Sequence, residues 1–188
     1  MKLMNRDQNI ISLLNTVKVL DTSTITNLFF NGSLRSCQKR LSILNECGYI
    51  KRFRDNVWSQ YIYYIGHKPK QWSHDMYVGK LLSYLKQHDI EVMKVKGSSK
   101  IGNIITDSII VIRINNTIKF LLVEIELHPR IETVNKYKDL YRNNKYKDYG
   151  FNIEPKVLLI TNSNKIYNSL NYQLIKTDLD FTDLIHKI

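Results

Sequence analysis

The chain has 188 residues, enough for one large domain or two small ones with a buried core. Hydrophobic residues make up 43% and charged residues 24%, an ordinary globular balance. The formal net charge is +11, yet no apolar run reaches the ~18 residues of a membrane span, which excludes a membrane-spanning helix.

The N-terminal stretch "MKLMNRDQNIISLL" lacks a signal-peptide h-region and cleavage site, so the expected location is the cytoplasm, with no membrane partner. The two cysteines, Cys37 and Cys47, form no CxxC or Cys/His cluster, and nothing in their spacing points to zinc. Lys, Asn, Ile and Tyr are abundant, a bias that an AT-rich genome produces, so position matters more than total charge. Residues 1–72 hold 11 Lys+Arg against 4 Asp+Glu, net +7, whereas residues 73–188 hold 17 against 13, net +4. The excess in the first part points to a polyanion there, and nucleic acid is the common one.

Asp7 is placed to cap a first helix carrying Ile10, Ile11, Leu13, Leu14 and Val17. A second, short helix fits "TSTITNLFF", with Thr22 or Ser23 at its cap. A third runs from Leu34 to about Cys47, where Gly48 ends it. Two strands follow around a turn at Asp55-Asn56. Helix, helix, helix, hairpin is the order of a winged helix-turn-helix. On the third helix Leu34, Cys37, Leu41 and Leu44 share one face, while Arg35 and Lys39 point the other way with Arg40 and Ser36 on the flank. Arg35, Ser36, Gln38, Lys39 and Arg40 are therefore the expected contacts of a recognition helix in a major groove. Lys51, Arg52 and Arg54 on the hairpin are placed for adjacent phosphates. The bland alternative is a solvated basic face.

"GHKPKQWS" has the composition of a linker, which gives a first domain over 1–66, a linker over 67–73 and a second domain over 74–188. The second domain reads α-β-β-β-α-β-α-β-α. A helix starts at Ser73–Asp75 and runs to about Gln87. Strands follow at 90–95, 107–114 and 118–127, the last two joined by an Asn115-Asn116 hairpin turn. A long helix over 132–149 leads to a buried strand over 156–162. A short helix near 164–170, a strand over 172–177 and a final helix complete the chain. A right-handed crossover should set strand 156–161 beside strand 118–127, in a mixed α+β or α/β sheet with helices on both faces.

Glu124 and Glu126 are two apart on one strand and share a face. If Asp107 on the neighbouring strand lies near them, three carboxylates converge, an oxygen set that suits Mg²⁺ or Mn²⁺ and metal-activated hydrolysis of a phosphodiester. The alternative is a strand with one wet face. Tyr137, Tyr141, Tyr146 and Tyr149, interleaved with lysines, fit either a solvated helix or a second DNA surface.

With Asp107 followed by Glu124-Ile125-Glu126, the second domain resembles the PD-(D/E)XK nuclease fold. It departs from that pattern where Glu126 replaces the lysine; Lys136 or Lys138 on the following segment are the candidate substitutes. The chain from about 7 to 176 is similar to the replication-relaxation family of plasmids, phages and conjugative elements. The carrying features are a helical head ending in "YIYYIG", a helix opened by "HD", an aspartate strand, E-x-E and "KYKDLY". That resemblance implies double-stranded DNA binding tied to replication, mobilisation or transcription of a mobile element, with a relaxase or replication protein as a partner. His74, Asp107, Glu124 and Glu126 are the positions it marks, with Tyr137 beside them. The reading is a DNA-binding homodimer that needs no cofactor to bind. Its nuclease-like domain is expected to be inactive, and the alternatives are a Mg²⁺- or Mn²⁺-dependent nickase and a non-catalytic accessory factor.

Overall fold

The computed structural model describes residues 2–128, 132–167 and 171–188. The chain divides into two compact units, Met1–Gln87 and His88–Ile188. The first contains α1 (Asn5–Val17), β1 (Val19–Asp21), α2 (Thr22–Phe29), α3 (Leu34–Glu46), β2 (Lys51–Phe53), β3 (Ile62–Tyr64) and α4 (Trp72–Gln87). Its three strands form an antiparallel sheet in the order β1-β3-β2.

The helices form where the apolar spacing places them, but the caps differ from the sequence reading. Asp7 lies in the first turn of α1, not ahead of it, and its carboxylate accepts from the Met4 amide at 2.8 Å. Asp21 rather than Thr22 or Ser23 caps α2: β1 runs straight into the helix, and the carboxylate accepts from Thr24 N at 2.7 Å and Ser23 Oγ at 2.9 Å. Ile10, Leu14, Ile25, Cys37, Leu41 and Leu44 are buried as their spacing requires. Leu34 is not; it is 50% exposed at the first turn of α3, beyond the edge of the core.

The domain boundary also moves. The sequence reading sets it at 67–73 and gives the next helix to the second domain. The structure counts α4 with the first unit. There α4 packs on α1, α2 and β1, and the missing side chain of Gly79 lets it approach β1 so closely that a Cβ would meet Leu20 Cδ2 at 2.4 Å. Asn27 donates to Ser83 at 3.2 Å, and Lys18 pairs with Asp75 at 3.3 Å across the same packing.

The second unit is built on a five-stranded mixed sheet of order β10-β9-β8-β7-β4, with β4 at Glu91–Lys96, β7 at Ser108–Ile114, β8 at Thr117–Ile125, β9 at Lys156–Ile160 and β10 at Leu174–Thr177. A small hairpin, β5 (Ser99–Ile101) with β6 (Ile104–Thr106), precedes β7 and was not anticipated. The β7–β8 turn holds Asn115 and Asn116 at φ 47° and 61°, the left-handed pair that a two-residue hairpin requires. β9 lies parallel beside β8, as the crossover argument expects.

The helix expected over 132–149 is broken. It consists of α5 (Glu132–Asn135), α6 (Lys138–Tyr141) and a 3-10 segment Arg142–Tyr149, in which Asn143 and Asn144 take left-handed dihedrals. Burial explains the break. Tyr137, Tyr141 and Tyr146 turn inward to pack on Leu122, Val157 and Leu159, and Tyr141 stacks on Tyr172 at 4.7 Å. Their hydroxyls need acceptors once buried, and Tyr141 reaches Pro155 O while Tyr172 reaches Val134 O. These tyrosines are core residues, not a DNA surface; only Tyr149, 49% exposed, faces water. The helix near 164–170 does not form over 164–167, and 168–170 lie outside the described residues. The final helix is one 3-10 turn, Leu184–His186.

Candidate functional site

Each unit carries one group of polar and charged side chains that its local structure holds together. In the first unit, α3 turns Cys37, Leu41 and Leu44 into the core and leaves Arg35, Ser36, Gln38 and Lys39 exposed on the opposite side. Arg40 behaves differently. Its guanidinium donates from Nε to Asp7 Oδ1 at 2.9 Å, and a second nitrogen bonds the other carboxylate oxygen. Asp7 is fully buried, and the Arg40 guanidinium holds its carboxyl below the usual carboxylate range. Arg40 thus ties α3 to α1 and is not free to contact a ligand.

The β2–β3 hairpin adds the remaining cations. Its loop spans 54–61, longer than the Asp55-Asn56 turn read from the sequence. Arg54 lies opposite Tyr61 across the hairpin, and the guanidinium groups of Arg52 and Arg54 both rest over the Tyr61 ring, 4.1 and 3.9 Å from its centroid. The ring fixes two flexible cations side by side. Lys51 Nζ donates to Gly66 O at 2.9 Å and stays exposed. The sequence reading does not single out Tyr61, because a turn at Asp55-Asn56 would set Val57, not Tyr61, across from Arg54.

In the second unit, β8 carries Glu124 and leads directly into Glu126, whose amide donates to Ile160 O at 2.9 Å and so continues the ladder. Both carboxylates are about 95% buried, on the sheet face covered by the segment after residue 132. Glu124 Oε1 accepts from Lys136 Nζ at 2.8 Å and from the Tyr137 hydroxyl. Lys136 Nζ also donates to Ile105 O at 2.7 Å. Asp107 lies between β6 and β7, and its Oδ2 accepts from the Ile125 amide at 2.8 Å. Burial, and after it the charge of Asp107, push the Glu124 carboxyl up to about 7, against the opposing pull of Lys136. Burial and the adjacent Glu124 carry the Tyr137 phenol far above its ordinary value.

Glu126 has its own partners. Thr133 Oγ1 donates to one carboxylate oxygen at 3.0 Å and Tyr167 to the other at 3.3 Å. Asp107, Glu124, Lys136 and Tyr137 therefore form one constellation, and Glu126 is bound into the neighbouring packing. The wet-face alternative for the glutamates does not hold. The convergence of three carboxylates on one ion is not seen either: among the described residues no group of three or more His, Cys, Asp or Glu side chains is arranged to hold a metal. Glu124 and Glu126 instead turn toward hydroxyl and ammonium donors. Lys138 is exposed. His74 sits in the first turn of α4, within the first unit, 3.7 Å from Asp75.

No helix among the described residues is long and apolar enough to cross a membrane. Comparison of the chain with models of known families, with curated proteins and with solved structures gives no match.

Proposed function

We propose that this protein binds double-stranded DNA in a sequence-specific manner, through a winged helix-turn-helix formed by its first unit. The observation that carries this reading is the split on α3. One face is buried, and the other presents Arg35, Gln38 and Lys39 to solvent, and the helix is followed by a hairpin bearing Lys51, Arg52 and Arg54. Arg and Gln are the side chains that pair bidentately with guanine and adenine edges, and the hairpin cations suit phosphates. The order α1-β1-α2-α3-β2-β3, with β1 closing on β3, supports the winged-helix reading. The second unit is read as a PD-(D/E)XK-like domain without activity, and the chain as a homodimer serving replication, mobilisation or transcription of a mobile element, with a relaxase or replication protein as partner. The test is fluorescence anisotropy on DNA selected from a random pool. Arg35→Ala and Lys39→Ala should each abolish specific binding, and unchanged binding in both would end the proposal.

One observation favours the nickase as a second reading. Lys136 lies 2.8 Å from Glu124, next to Asp107, and so offers the positive charge that Glu126 cannot. Supercoiled plasmid incubated with Mn²⁺ decides it: nicking lost in both Asp107→Ala and Lys136→Ala establishes an enzyme, and intact plasmid across the same conditions rejects one.

A further inference from the structure

Trp58 is 95% exposed and its neighbour Val57 is 76% exposed, at the tip of the loop between β2 and β3. A tryptophan ring in water forfeits the largest burial gain any side chain offers, so its presentation at a tip asks for an occupant. The tip is not a loose loop. Asn56 Oδ1 accepts from Trp58 N at 3.0 Å and Ser59 N at 2.9 Å, an Asx turn, and Ser59 N also donates to Asn56 O at 3.1 Å. Arg54 reaches across to Val57 O at 3.3 Å while its guanidinium rests on Tyr61. A rigid apolar point therefore stands above Arg52 and Arg54, with Lys51 farther along β2 and Asp55 beside Arg54, so the hairpin keeps a net positive charge.

We propose that Trp58 is a wedge that enters the DNA minor groove and inserts into a base step, bending the duplex toward the major groove that α3 occupies. This inference rests on the DNA-binding reading and adds the deformation to it. The charge argues for a nucleic-acid occupant over a second copy of the chain: a copy would bring the same net positive hairpin against this one, whereas phosphates flank both sides of a minor groove. Apolar wedges between base steps kink DNA by roughly 20–90°. The favoured sites are the flexible TA and CA/TG steps, so part of the sequence preference comes from deformability, not base contact.

The experiment uses the full chain and a duplex of about 30 bp that carries the sequence selected from the random pool, flanked by TA and CA steps, with a donor and an acceptor dye at its ends. Anisotropy reports binding and energy transfer reports bending. Wild type should bind and raise the transfer. Trp58→Ala should bind about tenfold more weakly and, at saturating protein, leave the transfer at the value of free DNA. Trp58→Phe should restore most of the bend. Binding by wild type without a change in transfer overturns the wedge and leaves the DNA reading standing. So does a Trp58→Ala variant that bends DNA as wild type does, or one that sediments as a monomer where wild type is a dimer. No binding of wild type in anisotropy overturns both readings.

Discussion

Arg40 sits on the same helix as Arg35 and Lys39, yet its bonds run inward to Asp7. Replacing it strips a buried carboxylate of two charge-assisted hydrogen bonds, leaving only the Met4 amide. Arg40→Ala should therefore cost about 2 kcal/mol in urea unfolding at pH 7. The pH dependence identifies the cause. Asp7 has a depressed folded pKa, so its contribution is full above the ordinary carboxylate value of 3.8 and is lost as pH falls through the lowered one. The gap between wild type and Arg40→Ala should be constant at neutral pH and narrow in acid. Glu124 carries the opposite sign. Its folded value, about 7, lies above the ordinary 4.5, so the folded state holds the extra proton. Stability from this group is full below 4.5 and is lost as pH rises through 7, on the order of 3 kcal/mol. Glu124→Gln, neutral throughout, should flatten that slope in denaturant melts between pH 4.5 and 7.5, and an equally steep slope in the variant would place the proton elsewhere.

At the scale of elements, Gly79 sets how closely α4 packs on β1. A Val there must push Leu20 aside, and overpacking of this kind costs about 1–3 kcal/mol. Gly79→Val should lower the melting of the first unit and leave the β4–β10 sheet, followed by hydrogen exchange, unchanged. The broken segment after β8 has a matching test. Asn143 and Asn144 are left-handed, so Asn143→Val should destabilise by about 1–2 kcal/mol while Asn143→Gly is tolerated. These two places show what the sequence could and could not convey. Alternation and 3.6-residue spacing made α1, α3, β7, β8 and β9 legible, because one buried face writes a period into the chain. Asn115-Asn116 announced its hairpin for the same local reason. Gly79 announced nothing, since close approach to Leu20 is a fact about a partner far away in sequence. Lysines and tyrosines at 132–149 looked like a helix with a wet face, and only the placement of Leu122, Val157 and Leu159 turned the tyrosines inward. In the candidate site, Asp107 and Glu124 could be paired from strand order alone. Lys136 was one of two equal guesses, because a broken helix does not keep helical phase.

For the molecule as a whole, the division after Gln87 makes a claim about where DNA affinity resides. The cations on α3 and the hairpin, the exposed Arg35, Lys39, Lys51 and Arg54 and the half-buried Arg52, all belong to the first unit. A fragment covering 1–87 keeps Val78, Leu81, Leu82 and Leu85 of α4 against the other helices and should fold. A fragment ending at Gln71 loses those four buried side chains and should not. If these cations release counterions on binding, the logarithm of the affinity should fall with the logarithm of salt at a slope of about −3 to −5. Lys39→Ala should make the slope shallower by about one. The full chain tests the rest of the surface. With its tyrosines at 137, 141 and 146 buried, the segment after β8 has little left for stacking, so fragment and full chain should show the same slope per protomer. A steeper slope in the full chain would mean that lysines of the second unit also touch phosphates, and would return that unit to the DNA.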